Sequence, residues 1–276
     1  MTGILHIVAT PIGNLGDITE RAISVLRDAS IIAVEDTRHS RKLLLQFAIA
    51  TPMVALHDFN EGERVAQMLK RLADGEDVAL ISDAGTPLVS DPGFKLVRAA
   101  IEAGHRVFPI PGASALLAGL VVSGLPTDRF LFAGFLPPKQ GARRAALEEL
   151  ADVEATLIFY ETGPRLAESL AEMAEMLGVR AAVVAREMTK LFEETRRETL
   201  DALAAHYAAA GAPKGEIVIV VAPPLPRGEV SDEELDAFLA GALDQGVKEA
   251  AARAADALGV PRKRAYTRAL ALRDRA

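Results

Sequence analysis

A chain of 276 residues with no cysteine has no thiolate for a disulfide, a zinc site or a nucleophile, and suits a reducing cytosol. Half of its residues are hydrophobic, enough for the cores of two domains, yet no apolar run is long enough to cross a bilayer. The formal charge of −7 argues against a protein coated with nucleic acid and leaves room for a local basic patch that faces one.

In chain order, the apolar run Ile4–Thr10 predicts a first strand and not a signal peptide, because no basic leader precedes it and it breaks at Pro11 and Gly13. Thr19 caps a predicted helix that runs through Arg27 on an apolar stripe of Ala22, Ile23, Val25 and Leu26. Ser30–Val34 reads as a buried strand ending at Glu35-Asp36-Thr37-Arg38-His39, with a helix starting near His39. Met53–Leu56 reads as a short strand, Glu61–Leu72 as a helix, and Val78–Ile81 as a strand. Phe94–Ala103 is a predicted helix with Gly104 as its C-cap, Arg106–Ile110 a strand, and Ala113–Val122 a helix of small residues.

A second α/β unit follows, with predicted strands at Phe130–Leu136, Thr156–Tyr160, Ala181–Ala185 and Glu216–Val221. Between them lie predicted helices Arg143–Leu150 and Leu166–Leu177 and an extended stretch near Leu191–Thr199. Alternating strands and helices predict a mostly parallel sheet. Ala222–Gly228 reads as a stiff Pro-rich linker. Three helices are predicted beyond it, Asp232–Leu243, Val247–Leu258 and Arg262–Arg273, the last two joined by the turn Gly259-Val260-Pro261 in the manner of a helix-turn-helix. The domain expectation is therefore an N-terminal α/β domain (1–123), a second α/β domain (124–222), a linker (223–230) and a C-terminal helical region (231–276) that contacts RNA.

Three strands in the first half run straight into loops of Gly, Pro and small polar residues: Pro11–Gly16, Ser82–Gly93 and Pro111–Ala115. Glycine lets a ligand approach the backbone, and the carboxyl ends of parallel strands line the crevice where open α/β sheets bind ligands. The dinucleotide, phosphate-loop, serine-elbow and zinc-protease motifs are all absent, and the five histidines lack metal-ligand spacing, so no catalytic metal is expected. Asp36, at a strand end beside Arg38 and His39, is the favoured proton acceptor; its alternative role is to cap the following helix. Glu161, which ends the buried run Phe159-Tyr160-Glu161, is the second candidate, while Asp83 and Asp91 read as braces of their turn.

As a set, Thr10–Leu15, Glu35–His39, Ser82–Pro87, Pro111-Gly112, Asp128–Pro137, Phe159–Glu161 and Arg186–Lys190 resemble the ribosomal RNA small subunit methyltransferase I family of the tetrapyrrole methylase superfamily. The resemblance is collinear from about Ile4 to Val221. It implies two α/β domains that hold S-adenosylmethionine in the cleft between them, with a small C-terminal helical region. It further implies 2′-O-methylation of a cytidine ribose in 16S ribosomal RNA within the small subunit, in the cytoplasm, by a homodimer that needs no membrane. Matched by motif, the cofactor-binding positions are Pro11, Gly13, Ala84, Gly85, Thr86, Val89, Ser114, Ala115, Glu161 and Met188. Asp36 falls where the superfamily has its proposed proton acceptor. Thr86 stands where the porphyrin enzymes have aspartate, which weighs against a tetrapyrrole substrate.

For RNA, Arg38, His39, Arg41, Lys42, Lys139, Arg143 and Arg144 are candidates to hold phosphates near the cleft, and Arg262, Lys263 and Arg264 to do so from the basic last helix. The competing readings are a tetrapyrrole (precorrin-type) methylase and a non-enzymatic RNA-binding ribosome factor. The second leaves the three loops without a purpose.

Overall fold

Strands buried on both faces read as unbroken apolar runs, the signature of the interior of a parallel sheet. The first half of the chain forms such a sheet from β1 (Ile4–Val8), β2 (Ile31–Val34), β3 (Met53–Ala55), β4 (Val78–Ile81) and β5 (Arg106–Ile110), in the order β3-β2-β4-β1-β5 with every pair parallel. Helices α1 (Glu20–Asp28), α2 (Thr37–Gln46), α3 (Glu61–Ala73), α4 (Phe94–Glu102) and α5 (Ala115–Ser123) connect and follow the strands. The period of two divides the core: Val8, Ile32, Val34 and Ile81 meet Leu26 and Leu44, whereas Leu5, Ile31 and Ala33 meet Met68, Leu72 and Leu96. Truncating a fully buried residue such as Leu26 to Ala costs about 2–5 kcal/mol. The computed structural model describes residues 2–56, 61–224, 231–258 and 260–273; the predicted linker residues 225–230, Gly259 of the predicted turn, and the terminal Asp274 and Arg275 lie outside them.

The second sheet comprises β6 (Phe130–Phe135), β7 (Thr156–Thr162), β8 (Ala181–Arg186), β9 (Glu194–Thr199) and β10 (Glu216–Val221), in the order β6-β7-β10-β8-β9. Only β6 and β7 pair in parallel, so this sheet is mixed where the alternation predicted mostly parallel strands. The reason is local: the connection 187–193 between β8 and β9 is too short for a crossover and must return the chain antiparallel. Helices α6 (Gln140–Leu150), α7 (Gly163–Leu177) and α8 (Leu200–Ala210) cover one face. The sequence reading missed α8, although Leu200, Leu203, Ala204 and Tyr207 are buried at helical spacing.

Helix α5 covers the other face, setting Leu116 and Leu120 against Ile158, Val183, Val218 and Val220, with Ile12 and Met188 in the same cluster. That packing joins the two α/β halves into one compact unit, Met1–Pro224. Leu225–Ala276 forms a second unit, in which α9 (Asp232–Ala240), α10 (Val247–Leu258) and α11 (Arg262–Arg273) enclose Leu235, Leu239, Ala250, Ala254, Ala265 and Ala269. Among the described residues no helix is long and apolar enough to cross a membrane.

Candidate active site

All three loops emerge at the carboxyl ends of β1, β4 and β5. The first two are tied together, Thr10 N–H to Gly85 O at 2.8 Å and Gly85 N–H to Thr10 O at 3.0 Å. The Thr86 hydroxyl donates to Ala113 O of the third loop at 3.1 Å. Gly85 (φ +78°) takes the left-handed backbone that glycine tolerates, but Leu88 (+75°) and Ser90 (+68°) take it as well. Non-glycine residues hold that conformation at a cost of about 1–3 kcal/mol each, a form of strain that concentrates at ligand sites.

These loops and the second sheet enclose a cavity of about 310 Å³, within the range of small-molecule sites. Of the predicted cofactor residues, Ala84, Gly85, Thr86, Val89, Ser114, Ala115, Glu161 and Met188 all line it. Five carboxylates line it too (Glu35, Asp83, Asp91, Glu161 and Glu216), and among the described residues no Lys, Arg or His does. Burial, reinforced by the charges of Asp91 and Asp83, pushes the Glu35 carboxyl up from its usual range. Asp91 is likewise raised by burial, with Asp83 adding to it against a lowering hydrogen bond from Ser82. Such a wall is matched to a ligand that brings positive charge.

A second cavity of about 560 Å³ adjoins the first, sharing Ile12, Asp83, Ala84 and Glu216 as common wall. Pro11 and Gly13 line this one, not the first. So do His39, Lys42 and Lys190. Lys190 sits between two carboxylates, its Nζ 2.8 Å from Glu187 Oε1 and 2.8 Å from Glu216 Oε2, and its stem crosses Gly13 so closely that a Cβ there would lie 2.5 Å from Cγ. The two cavities thus differ in lining: carboxylates alone among the charged side chains in the first, and His39, Lys42 and Lys190 beside the shared Asp83 and Glu216 in the second.

Several expectations need correction. Asp36 lines neither cavity. It caps α2, which starts at Thr37 and not near His39, and its carboxylate takes Arg38 N–H at 2.8 Å and the Arg38 guanidinium at 2.7 Å. These bonds pull its carboxyl down to about 2 and keep it ionised, with its oxygens turned to Arg38 and not into either cavity. Glu161 is in the cavity wall but only 2% exposed, and both oxygens are committed: Oε1 accepts from Thr162 N–H at 2.7 Å and Oε2 from Ser169 Oγ at 2.6 Å. It braces the strand end. Arg143 is buried against Glu172 and Glu168 and cannot reach a phosphate. Arg144 is bound bidentately to Glu175. Arg264 and Arg268 pair with Asp232 and Asp236, so the segregated charges of the C-terminal unit serve in part to bind α11 to α9. Arg38 is exposed and paired with Asp36, while Arg41, Lys139, Arg262 and Lys263 are exposed.

Sequence reasoning missed Glu35, Asp91 and Lys190. The signal for Glu35 was strand alternation, which sends Glu35 and Asp36 to opposite faces at the end of β2, so only one of them can point into a crevice on a given side. Among the described residues no group of three or more His, Asp or Glu side chains is arranged to hold a metal ion.

Comparison with known proteins agrees with this architecture. Residues 4–204 match the family model for tetrapyrrole (corrin/porphyrin) methylases, and residues 229–273 match that of the RsmI C-terminal HTH domain. The chain is 52% identical over 271 residues to ribosomal RNA small subunit methyltransferase I of Mesorhizobium japonicum, covering 98% of this chain and 92% of that protein. It is 49% identical to the protein of the same name in Pseudomonas aeruginosa, covering 97% of each. Among solved structures, it superposes on uroporphyrin-III-C-methyltransferase from Thermus thermophilus with TM-score 0.56 at 19% identity, covering 79% of this chain and 94% of that one. A diphthine synthase superposes with TM-score 0.59 at 19% identity, covering 79% and 89%. These two similarities speak to fold alone.

Proposed function

The chain belongs to the tetrapyrrole methylase family and, within it, to the ribosomal RNA small subunit methyltransferase I group, and from that premise we propose that it transfers the methyl group of S-adenosylmethionine to the 2′-hydroxyl of a cytidine in 16S ribosomal RNA, in the cytoplasm. The observation that carries this reading is a pair of adjoining cavities, the first with carboxylates as its only charged lining and the second bringing basic side chains alongside the shared Asp83 and Glu216. A cavity with five carboxylates and, among the described residues, no cation suits a cationic cofactor, and the exposed His39 and Lys42 on the wall of its neighbour suit the phosphates of RNA. The near full-length identity to ribosomal RNA methyltransferases and the C-terminal domain favour RNA over a tetrapyrrole.

When bound, the cofactor supplies a methyl group already activated by a sulfonium. The remaining work falls to the protein: alignment of the attacking oxygen and removal of its proton. Gly85, Thr86 and Ser114 would hold the cofactor by close backbone approach, and Glu35 and Asp91 would offer negative charge to it. Asp83, whose Oδ1 is oriented by Asp36 N–H at 3.2 Å and which lines both cavities, takes the hydroxyl proton at its carboxylate. Lys42, His39 and, from the C-terminal unit, Arg262 and Lys263 meet phosphates. A homodimer is proposed through α5, where Leu117, Val121 and Val122 are exposed.

Calorimetry tests the cofactor half. S-adenosylmethionine is expected to bind the wild type, and Asp91→Asn to weaken it severalfold at neutral pH. A wild type that does not bind, or an Asp91→Asn variant with unchanged affinity, contradicts the assignment of the acidic cavity.

A further inference from the structure

The two central positions of a tight turn usually carry Gly, Pro, Asn, Asp or Ser, residues that suit the backbone and face water. The turn Lys190–Glu193, closed by Glu193 N–H to Lys190 O at 3.2 Å, carries Leu191 and Phe192 there. Leu191 is 89% exposed and Phe192 69% exposed.

This turn is held firmly. Lys190 N–H bonds Glu187 O at 3.0 Å, Thr189 N–H bonds the Glu193 carboxylate at 2.7 Å, and the Lys190 ammonium is fixed by Glu187 and Glu216. Glu187 (φ +51°) and Thr189 (φ +67°) accept left-handed backbone to make that course possible. A strained and braced turn that presents two large apolar side chains to water is a local conflict of the kind that marks a functional surface.

Its position identifies the occupant. Lys190, the first residue of the turn, lines the second cavity beside Pro11, Gly13, His39 and Lys42. Lys42, exposed on the wall of that cavity, is a cation that a phosphate can meet, and Lys190 ties the turn to the same wall. We propose that Phe192, backed by Leu191, is a stacking platform for an unpaired base that flanks the nucleotide entering the second cavity. The inference rests on the reading of RNA as substrate. Single-stranded RNA is recognised largely by stacking unpaired bases on aromatic side chains, and a platform that is rigid beforehand loses little freedom on binding. A platform of this kind holds the acceptor strand unpaired while the ribose is in place.

The test measures affinity and steady-state methylation with purified small ribosomal subunits for the wild type, Phe192→Ala and Phe192→Tyr, together with S-adenosylmethionine affinity and molar mass by light scattering. Phe192→Ala is expected to raise KM and Kd for subunits about tenfold with kcat and cofactor affinity unchanged, and Phe192→Tyr to stay within about twofold of wild type. A wild type that ignores the subunits overturns the substrate reading and the platform with it. A wild type that binds while Phe192→Ala binds equally well overturns the platform alone. Equal losses in Phe192→Ala and Phe192→Tyr, or a change in molar mass with Phe192→Ala, also overturn it, the latter assigning the turn to contact between copies.

Discussion

Replacing Arg143 by Met decides between its two readings, because a phosphate contact and a core ion pair fail in opposite ways. The Arg143 side chain is 1% exposed; Nε lies 2.6 Å and Nη2 2.9 Å from the two oxygens of Glu172, and Nη2 lies 2.6 Å from Glu168. Met preserves much of the stem but leaves the Glu172 side chain, 6% exposed, without its cation. Removing one partner of a buried pair costs about 3–5 kcal/mol. Glu168, mostly exposed, adds no more than about 1 kcal/mol. Against a total stability of about 5–15 kcal/mol, that is a large fraction. Urea denaturation followed by far-ultraviolet circular dichroism measures it. Arg143→Met/Glu172→Leu is expected to recover most of the loss, since the stranded charge goes too. Arg143 holds the Glu172 carboxyl below its usual range, so this pair's contribution is complete above the unfolded carboxylate value of about 4.3 and fades as pH falls through the lowered folded value. The defect of Arg143→Met must therefore shrink in acid. Wild-type stability at neutral pH combined with a raised KM for RNA refutes the structural reading.

Gly85→Leu is expected to fold with a slightly lowered Tm and to lose S-adenosylmethionine binding, because its φ of +78° costs a side chain about 1–2 kcal/mol, its Cβ would sit 3.3 Å from Ile12, and its remainder would enter the cavity. Unchanged calorimetric affinity in a folded Gly85→Leu protein rules out that close approach. Asp83→Asn is expected to lower kcat about 10²–10⁴-fold with cofactor affinity preserved within a few fold, whereas Asp36→Asn, which can still cap α2, is expected to lose only a few fold. The reverse ranking of the two rates returns the proton to Asp36.

The strands and most helices were legible because unbroken apolar runs and helical stripes survive in single-sequence patterns. Sheet order did not, since nothing in Val78–Ile81 states that it lies between β1 and β2. Helix α8 was hidden by its alanines, which give little contrast between faces. For the site, the loops Pro11–Gly16 and Ser82–Gly93 were readable from glycine and proline. The choice between Glu35 and Asp36 was not, because it depends on which side of β2 meets the second half of the chain. Arg143 carried a signal that was overlooked: it stands four residues before buried Leu147 on the inward face of α6, and Glu168 and Glu172 repeat at the same spacing on α7. The basic α11 was misleading for a related reason, as half of a charge pattern whose other half is α9.

The most direct measurement is the identity of the product. Small ribosomal subunits are incubated with methyl-labelled S-adenosylmethionine and the full-length protein, and the RNA is digested to nucleosides for mass analysis. Label is expected in 2′-O-methylcytidine, transferred by wild type and strongly reduced with Asp83→Asn. Label on a base, label in a tetrapyrrole and none in RNA, or no transfer by a protein shown to bind the cofactor contradicts it.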